Sequence, residues 1–328
     1  MRVLVTGASG MIGRAVAARL VADGHDVRTL QRRPSGVAAD VLGSVVDPDA
    51  VADAVRGRDA VIHLAAKAAI TGSFAEYEKV NVGGTERLLA AARVAGATRF
   101  VHVSSPSVAH LGTSLAGAAA GPADPEHARG HYARTKAAAE LLALAADDPA
   151  GMRVVVVRPH IVWGPGDTQL VGRVVERART GRLPVLGAGA ALIDTTYVDN
   201  AVDALVAALH AEDSACGEAY VVTNGEPRPV LELLRGICEA SGVPTPRRHV
   251  PAALARAAGG LMDAAWARLP LRGEPPLTRF GAEQLSTAHW FDQRRTREAL
   301  GWTPTVGIDE GLARLASWTA AERDRHVP

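Results

Sequence analysis

The chain predicts an α/β fold: a doubly wound parallel sheet with helices on both faces, joined to a smaller C-terminal α+β lobe. Three observations carry this. Short apolar strands alternate with helical stretches through the first half of the 328 residues. A glycine-rich turn links the first strand to the first helix. Beyond Gly164 the alternation loosens, and Pro and Gly punctuate short elements.

The elements follow in order. Apolar residues at 3–6 read as a strand, and 13–23 as an amphipathic helix. A second strand is expected at 26–31, a short helix at 51–56 and a buried strand at 60–64. A helix at 76–95 precedes a strand at 99–104. The stretch 109–130 is rich in Gly, Ala and Pro and reads as a loop, either a mobile segment over a site or a variable surface segment. Residues 132–145 form a helix and 152–158 a strand. In the second half, 252–269 is a late apolar helix, and the run 272–276, Arg-Gly-Glu-Pro-Pro, is a turn or extended segment. The expected division gives residues 1–160 and 192–224 to a dinucleotide-binding domain, and 161–191 and 225–328 to the second lobe.

Composition narrows the function. The chain is 48% hydrophobic and 22% charged, enough to bury a sizeable core. Lys and Arg number 36 against 35 Asp and Glu, and no basic run interleaves with aromatics, so no nucleic-acid partner is expected. Cys216 and Cys238 fit no disulfide or metal framework. With no charged leader before an apolar h-region and no apolar run of about 20 residues, a cytoplasmic protein is expected. No metal site is expected: His127 and His131 are four apart but lack the Glu of a metalloprotease helix, and read as a solvated pair.

The N-terminal turn is the strongest motif. Strand Arg2-Val3-Leu4-Val5-Thr6 runs into Gly7-Ala8-Ser9-Gly10-Met11-Ile12-Gly13. Gly7 permits the tight turn, Gly10 lets backbone N–H groups approach a pyrophosphate, and Gly13 lets helix and strand pack closely. The helix N-terminus then faces the phosphates. This is a Rossmann-type arrangement.

A second constellation lies downstream. Tyr132 and Lys136 stand one helical turn apart on one face. A phenol with a pKa of about 10 is a poor proton donor near neutrality, and an adjacent ammonium lowers that value. Ser104-Ser105-Pro106-Ser107 ends a strand at the edge where open α/β sheets bind ligands. Alone, the Tyr/Lys pair would read as an ordinary helix surface. Following a glycine turn and a strand-end serine, it reads as a catalytic pair.

With these residues in order, the chain resembles the extended short-chain dehydrogenases/reductases, which include nucleotide-sugar epimerases and 3β-hydroxysteroid dehydrogenases. Thr6-Gly7-x-x-Gly10-x-x-Gly13, His63-Leu64-Ala65-Ala66, Asn81-Val82-x-Gly84-Thr85, Ser104-Ser105, Tyr132-x-x-x-Lys136, Arg158-Pro159, Gly164-Pro165-Gly166-Asp167, Tyr197-Val198-Asp199 and Leu300-Gly301-Trp302-x-Pro304 carry the resemblance over nearly the whole length. It implies that Ser105 orients a carbonyl, with Ser104 as the alternative if the register shifts by one. It implies Tyr132 as the acid/base, Lys136 as its activator and Asn81 as an organiser. It also implies cofactor contacts from Gly7, Ser9, Gly10, Met11, Ile12, Gln31, Arg32, Arg33, Ser44, Val45, Leu64, Ala65, Ala66, Lys67, Asn81, Tyr132, Lys136, Pro159, Ile161 and Val162. Relatives often carry an Asp for the adenine within the stretch 43–47; here Ser44 holds that position.

Stretches 163–170, 194–200, 224–227 and 271–280 resemble a subgroup, the bacterial 2-alkyl-3-oxoalkanoate reductases of long-chain olefin and β-lactone biosynthesis. The implied reaction is reduction of a long-chain 2-alkyl-3-oxoalkanoate to the 3-hydroxy acid. Alternatives are a 3β-hydroxysteroid dehydrogenase-like enzyme, a nucleotide-sugar epimerase or dehydratase, and a non-catalytic NADP(H)-sensing scaffold. The cofactor reading rests on the second strand. It ends at Gln31-Arg32-Arg33, where an NAD enzyme usually places a carboxylate for the ribose 2′-OH. Two guanidinium groups in place of an acid suit a 2′-phosphate, so NADP(H) is expected. An apolar keto-acid substrate, a homodimer and contact with a membrane surface or a pathway enzyme complete the expected partners. His160 reads equally as a pocket residue and as a packed histidine, and Lys67 as a contact for an anion or a surface lysine. The 252–269 helix reads either as plain packing or as a lid over a lipid-sized pocket.

Overall fold

The computed structural model describes residues 1–69, 72–110, 112–269 and 275–325. Its centre is a seven-stranded sheet, in spatial order Glu218–Val222, Arg153–Pro159, Arg99–Val103, Ala60–His63, Arg2–Thr6, Asp26–Gln31 and Ala39–Leu42. Every pairing in it is parallel. The chain starts at Arg2–Thr6 and winds outward first one way, then the other. The order therefore reverses beside Arg2–Thr6, where Val3 lies opposite both Val27 and Ala60. The crevice at such a reversal is the ligand site of an open α/β sheet.

The sheet is covered on both faces. Val3 and Val5 pack into one cluster with Val16, Leu20 and Leu205, and Leu4 packs into another with Val61, Leu88 and Phe100. Successive strand residues point to opposite faces. A strand buried on both sides therefore reads as an unbroken apolar run.

Several elements differ from the sequence reading. The first helix is Met11–Ala22, starting two residues earlier than expected, with Gly10 as its N-cap. The edge strand Ala39–Leu42 was not expected; its exposed residues show no alternation to betray it. The helix expected over 76–95 is broken into a short helix Phe74–Tyr77, a π-helical turn Glu78–Val82 and a helix Gly83–Val94. Such π turns gather at functional sites, and this one carries Asn81.

The 109–130 segment is not wholly loop. Leu115–Ala118 is a strand in a second sheet ordered Arg228–Pro229, Leu192–Ile193, His289–Phe291 and Leu115–Ala118. It enters that sheet from within the stretch assigned to the dinucleotide-binding domain. The apolar helix Ala252–Arg268 forms as expected, but Leu254 and Leu261 are exposed on it, so plain packing does not describe all of it. Residues 271–274 of the expected subgroup stretch and turn lie outside the described residues. No described helix is long and apolar enough to cross a membrane.

Candidate active site

The glycine turn has the geometry that its spacing implies. Gly7 has φ +77°, and a Cβ there would sit 2.9 Å from the Ala65 nitrogen. A Cβ on Gly13 would lie 2.5 Å from the Gly7 carbonyl oxygen. Gly10 is different: only the Gly7 oxygen, at 3.4 Å, approaches its added Cβ, and Ser9 and Gly10 are exposed. Gly7 and Gly13 thus serve the fold, and Gly10 leaves a cradle open above the helix N-terminus, beside the partly buried Met11 and Ile12. A dinucleotide pyrophosphate fits this space.

The second strand ends as a basic turn. Arg32 and Arg33 are exposed and make no ion pair among the described residues. Gln31 does not extend toward a ribose as its position suggested. It is buried, and its amide donates to Thr29 Oγ1 at 3.1 Å and Asp40 Oδ1 at 2.6 Å. Asp40 also accepts from the Ser35 hydroxyl and backbone, and these bonds hold its carboxyl below the usual range against burial. In the 43–47 stretch, the Ser44 hydroxyl accepts from Val46 N, and Asp47 caps the helix Pro48–Val55. Val45 is buried against Gly84.

Tyr132 and Lys136 share one face of the helix Gly130–Ala145. Burial pushes the Tyr132 phenol up to about 12, and a hydrogen bond with Ser105 pulls the other way. The Ser107 hydroxyl donates to Ser105 Oγ at 3.0 Å, which leaves the Ser105 O–H free to turn to the phenol. Ser104 is buried, and its hydroxyl has no partner among the described residues. Ser105, not Ser104, therefore meets Tyr132.

The expected lowering of the phenol by Lys136 is not what this arrangement produces. The ammonium donates instead to the Val103 carbonyl at 2.7 Å and to His102 Nε2 at 3.3 Å. Burial pushes Lys136 down to about 8, with Glu140 opposing.

Asn81 is the organiser that the sequence suggested. Its Oδ1 accepts from Lys67 N at 2.7 Å, and its Nδ2 donates to Lys67 O at 3.2 Å and Thr135 Oγ1 at 3.0 Å. It thus ties the loop Leu64-Ala65-Ala66-Lys67 to the helix of Tyr132. The Lys67 ammonium pairs with Glu76 at 3.2 Å, so it is not a free anion contact.

A further network had only a motif as its signal. Thr85 donates to the Asn81 carbonyl at 2.6 Å, so it accepts from His63 Nε2 at 3.0 Å. His63 Nδ1 then accepts from Thr6 Oγ1 at 2.7 Å, and Thr6 accepts from Ala65 N. His63 is thereby a neutral imidazole, which burial and then Lys136 push down to about 3. His63 appeared in the sequence only within its strand-end motif.

At the strand end, Pro159 is buried and Val162 starts a short strand. Ile161 between them has φ +45°, a left-handed conformation strained for a β-branched residue. Such strain gathers at functional sites. His160 is buried, with Nδ1 2.7 Å from the Asp194 carbonyl. His127 pairs with Asp124 at 2.8 Å and His131 stacks near Phe74 and Tyr77.

Residues 3–223 match the NAD dependent epimerase/dehydratase family. The chain belongs to this family. It is 43% identical over 332 residues to the 2-alkyl-3-oxoalkanoate reductase of Stenotrophomonas maltophilia, covering 98% of this chain and all of that one. It is 33% identical to a 3 beta-hydroxysteroid dehydrogenase/Delta 5-->4-isomerase of Mycobacterium tuberculosis, covering 95% and 88%. Among solved structures it is similar to MoeE5 in complex with UDP-glucose and NAD, with TM-score 0.75, 26% identity and coverage of 98% and 100%. The chain is an NAD(P)-dependent oxidoreductase of the extended short-chain dehydrogenase/reductase type.

Proposed function

We propose that the protein reduces the ketone of a long-chain 2-alkyl-3-oxoalkanoate to the 2-alkyl-3-hydroxyalkanoate with NADPH. The observation that carries this is the 43% identity to a reductase of that name across 98% of the chain, with Ser105, Tyr132 and Lys136 all in place. When bound, NADPH supplies the hydride. Ser105 orients the carbonyl oxygen, and Tyr132 gives its proton to the developing alkoxide. A phenol near 12 remains protonated through the neutral range, as a proton donor must. Lys136 holds positive charge beside the site and serves the nicotinamide ribose.

The preference for NADPH rests on Arg32 and Arg33, exposed and unpaired among the described residues, with no carboxylate at position 31. The division into residues 1–160 with 192–224, and 161–191 with 225–328, goes with this reading, the second unit supplying an apolar pocket. A homodimer and contact with a membrane surface or a pathway enzyme are part of it too; exposed Leu254 and Leu261 support the contact.

The test is NADPH consumption with 2-alkyl-3-oxo acids of increasing length, beside a 3-ketosteroid and UDP-glucose. Each buried methylene contributes about 0.8 kcal/mol, so kcat/KM should climb steeply until the pocket fills. A flat series, or faster turnover of the steroid or nucleotide sugar, removes the proposed substrate. Gel filtration and liposome flotation test the dimer and the membrane contact.

A further inference from the structure

Between the two sheets lies a buried group of histidines that the catalytic residues do not use. His110, His160 and His289 are each 5% exposed or less. The His110 and His289 rings meet edge to face at 4.8 Å, and His160 stands 6.0 Å from His289. Phe280 and Phe291 pack against the outer rings. Glu283, also buried, accepts from Arg129 at 2.6 Å and from Arg279 at 3.1 Å through one carboxylate oxygen.

This group is short of hydrogen-bond partners. Both ring nitrogens of His110, Nδ1 of His289 and Oε2 of Glu283 are buried with none among the described residues. Each such orphan is costly unless something meets it. Thr287 donates to the Glu283 carbonyl, so it accepts from His289 Nε2 at 3.2 Å. The Gln284 carbonyl also accepts from this ring, so Nε2 carries the proton and Nδ1, without a partner among the described residues, is left as an acceptor. Neutral His110 offers one N–H and one lone pair. A group that donates once and accepts once meets both rings. A carboxyl group with its proton does this, as does a carboxylate facing one imidazolium.

The position fits a substrate. His110 caps the short 3₁₀ turn Pro106–Ala109 whose N-cap is Ser105. Arg129, which holds Glu283, is the N-cap of the helix that carries Tyr132. His160 follows Pro159 at the carboxyl edge of the central sheet.

We infer that His110 and His289, with Glu283 behind them, form the subsite that takes the carboxyl group of the substrate. This rests on the proposed keto-acid reaction and assigns its acid-recognising residues. Binding takes up one proton, shared between the carboxyl and the imidazoles. Burial pushes His110 down, with Glu283 opposing and Arg129 adding to it, and burial with the two neighbouring imidazoles pushes His289 down to about 3; Arg279 also pairs with Glu283, and His160 and Asp194 stand on the far side.

The experiment uses calorimetric titration of the full chain with a 2-alkyl-3-hydroxy acid and its methyl ester, in two buffers of different ionisation heat, together with turnover of the matching oxo acid and oxo ester. The wild type should bind the acid with uptake of one proton and weaken toward it about tenfold per pH unit above neutrality. The ester should show neither effect. His110→Phe and His289→Phe should each raise KM for the acid about tenfold or more, leave the ester and NADPH affinity unchanged, and abolish the proton uptake. Should His110→Phe misfold, His110→Gln, which keeps one donor and one acceptor for the protonated carboxyl, should retain acid binding together with the proton uptake, and loss of both in that folded variant overturns the donor–acceptor pairing. Unchanged acid preference and proton uptake in the folded Phe variants overturn the subsite while the keto-acid reaction stands. Proton-linked acid binding without turnover of the oxo acid keeps the subsite and removes the reaction.

Discussion

Asn81 Nδ2 donates to Thr135 Oγ1 at 3.0 Å, joining a π-helical turn to the middle of the catalytic helix. Thr135 in turn donates to the His131 carbonyl at 2.7 Å, within the turn that carries Tyr132. The helix that carries the phenol is thus tied at Thr135 to a buried amide fifty-four residues upstream of it. Asn81→Ala should lower kcat and cofactor affinity together, because the Lys67 loop loses its anchor as well. It should also destabilise the fold by about 1–3 kcal/mol through orphaned partners. Thr135→Val removes only the link to the helix and should lower kcat alone. Steady-state kinetics and urea unfolding of both variants check this; equal effects on kcat and cofactor affinity in Thr135→Val would count against the link.

Tyr132→Phe should retain cofactor binding and lose about 10²–10⁴-fold in kcat, since only the proton is removed. Fluorescence titration with NADPH and single-turnover rates separate the two.

Lys136 gives a pH signature. Its ordinary value is 10.5 and burial lowers it to about 8, so the folded chain sheds that proton before the unfolded chain does. The unfolded state then holds more protons between about 8 and 10.5, and stability rises with pH in that window. Below 8 the buried charge is a burden. Lys136→Met should therefore unfold at a higher temperature than wild type at pH 7, with the advantage shrinking from pH 8 to 10.5. It should be inactive throughout. Thermal melts at stepped pH provide the test.

Replacing Arg32 and Arg33 with Ser, and Gln31 with Asp, should turn cofactor preference toward NADH by about tenfold or more, as charge-assisted bonds are worth roughly 1.5–3 kcal/mol. The ratio of kcat/KM for the two cofactors is the measurement. Gln31→Asp alone should also loosen the edge strand, because it would set a carboxylate against Asp40. A wild type that favours NADH would mark the arginines as a solvated turn.

Arg158 and Glu140 form a buried ion pair, with Arg158 Nε 2.9 Å from Glu140 Oε2 and Arg158 also donating to the Gly121 carbonyl at 2.7 Å. Removing one partner leaves a charge buried alone. Glu140→Ala should cost about 3–5 kcal/mol by denaturant unfolding. The double variant Glu140→Leu with Arg158→Met should recover much of that loss.

Five strands of the central sheet were legible in their short apolar runs, helped by the glycine turn after the first, whereas the strand Glu218–Val222 was not expected. Nor was the edge strand Ala39–Leu42, because four largely exposed residues, Ala-Asp-Val-Leu, show no alternation. The candidate site was legible in geometry where its residues sit in short motifs: Ser105 does meet Tyr132, and Tyr132 and Lys136 share a helix face. It was illegible where partners come from distant segments. His110 and His289 are 179 apart in number, and no spacing rule joins them. Gln31 misled for a related reason: its backbone holds the expected place while its side chain answers to Asp40. The break in the 76–95 helix was hidden too, because Gly83-Gly84 and Asn81 are mild signals beside a strong helical pattern.

The pairing of Leu115–Ala118 with His289–Phe291 sets an order of assembly. The first strand lies between Ser105 and Tyr132 in the chain, and its partner comes 174 residues later. During synthesis the dinucleotide turn can close early from local contacts. The segment linking the Ser105 and Tyr132 hydroxyls must wait until residue 291 has emerged. Non-local pairings of this kind are slow to form and leave intermediates. A nascent chain would thus acquire its cofactor cradle well before its reactive centre, and a chain cut short ahead of residue 289 would hold the nucleotide fold without a completed site.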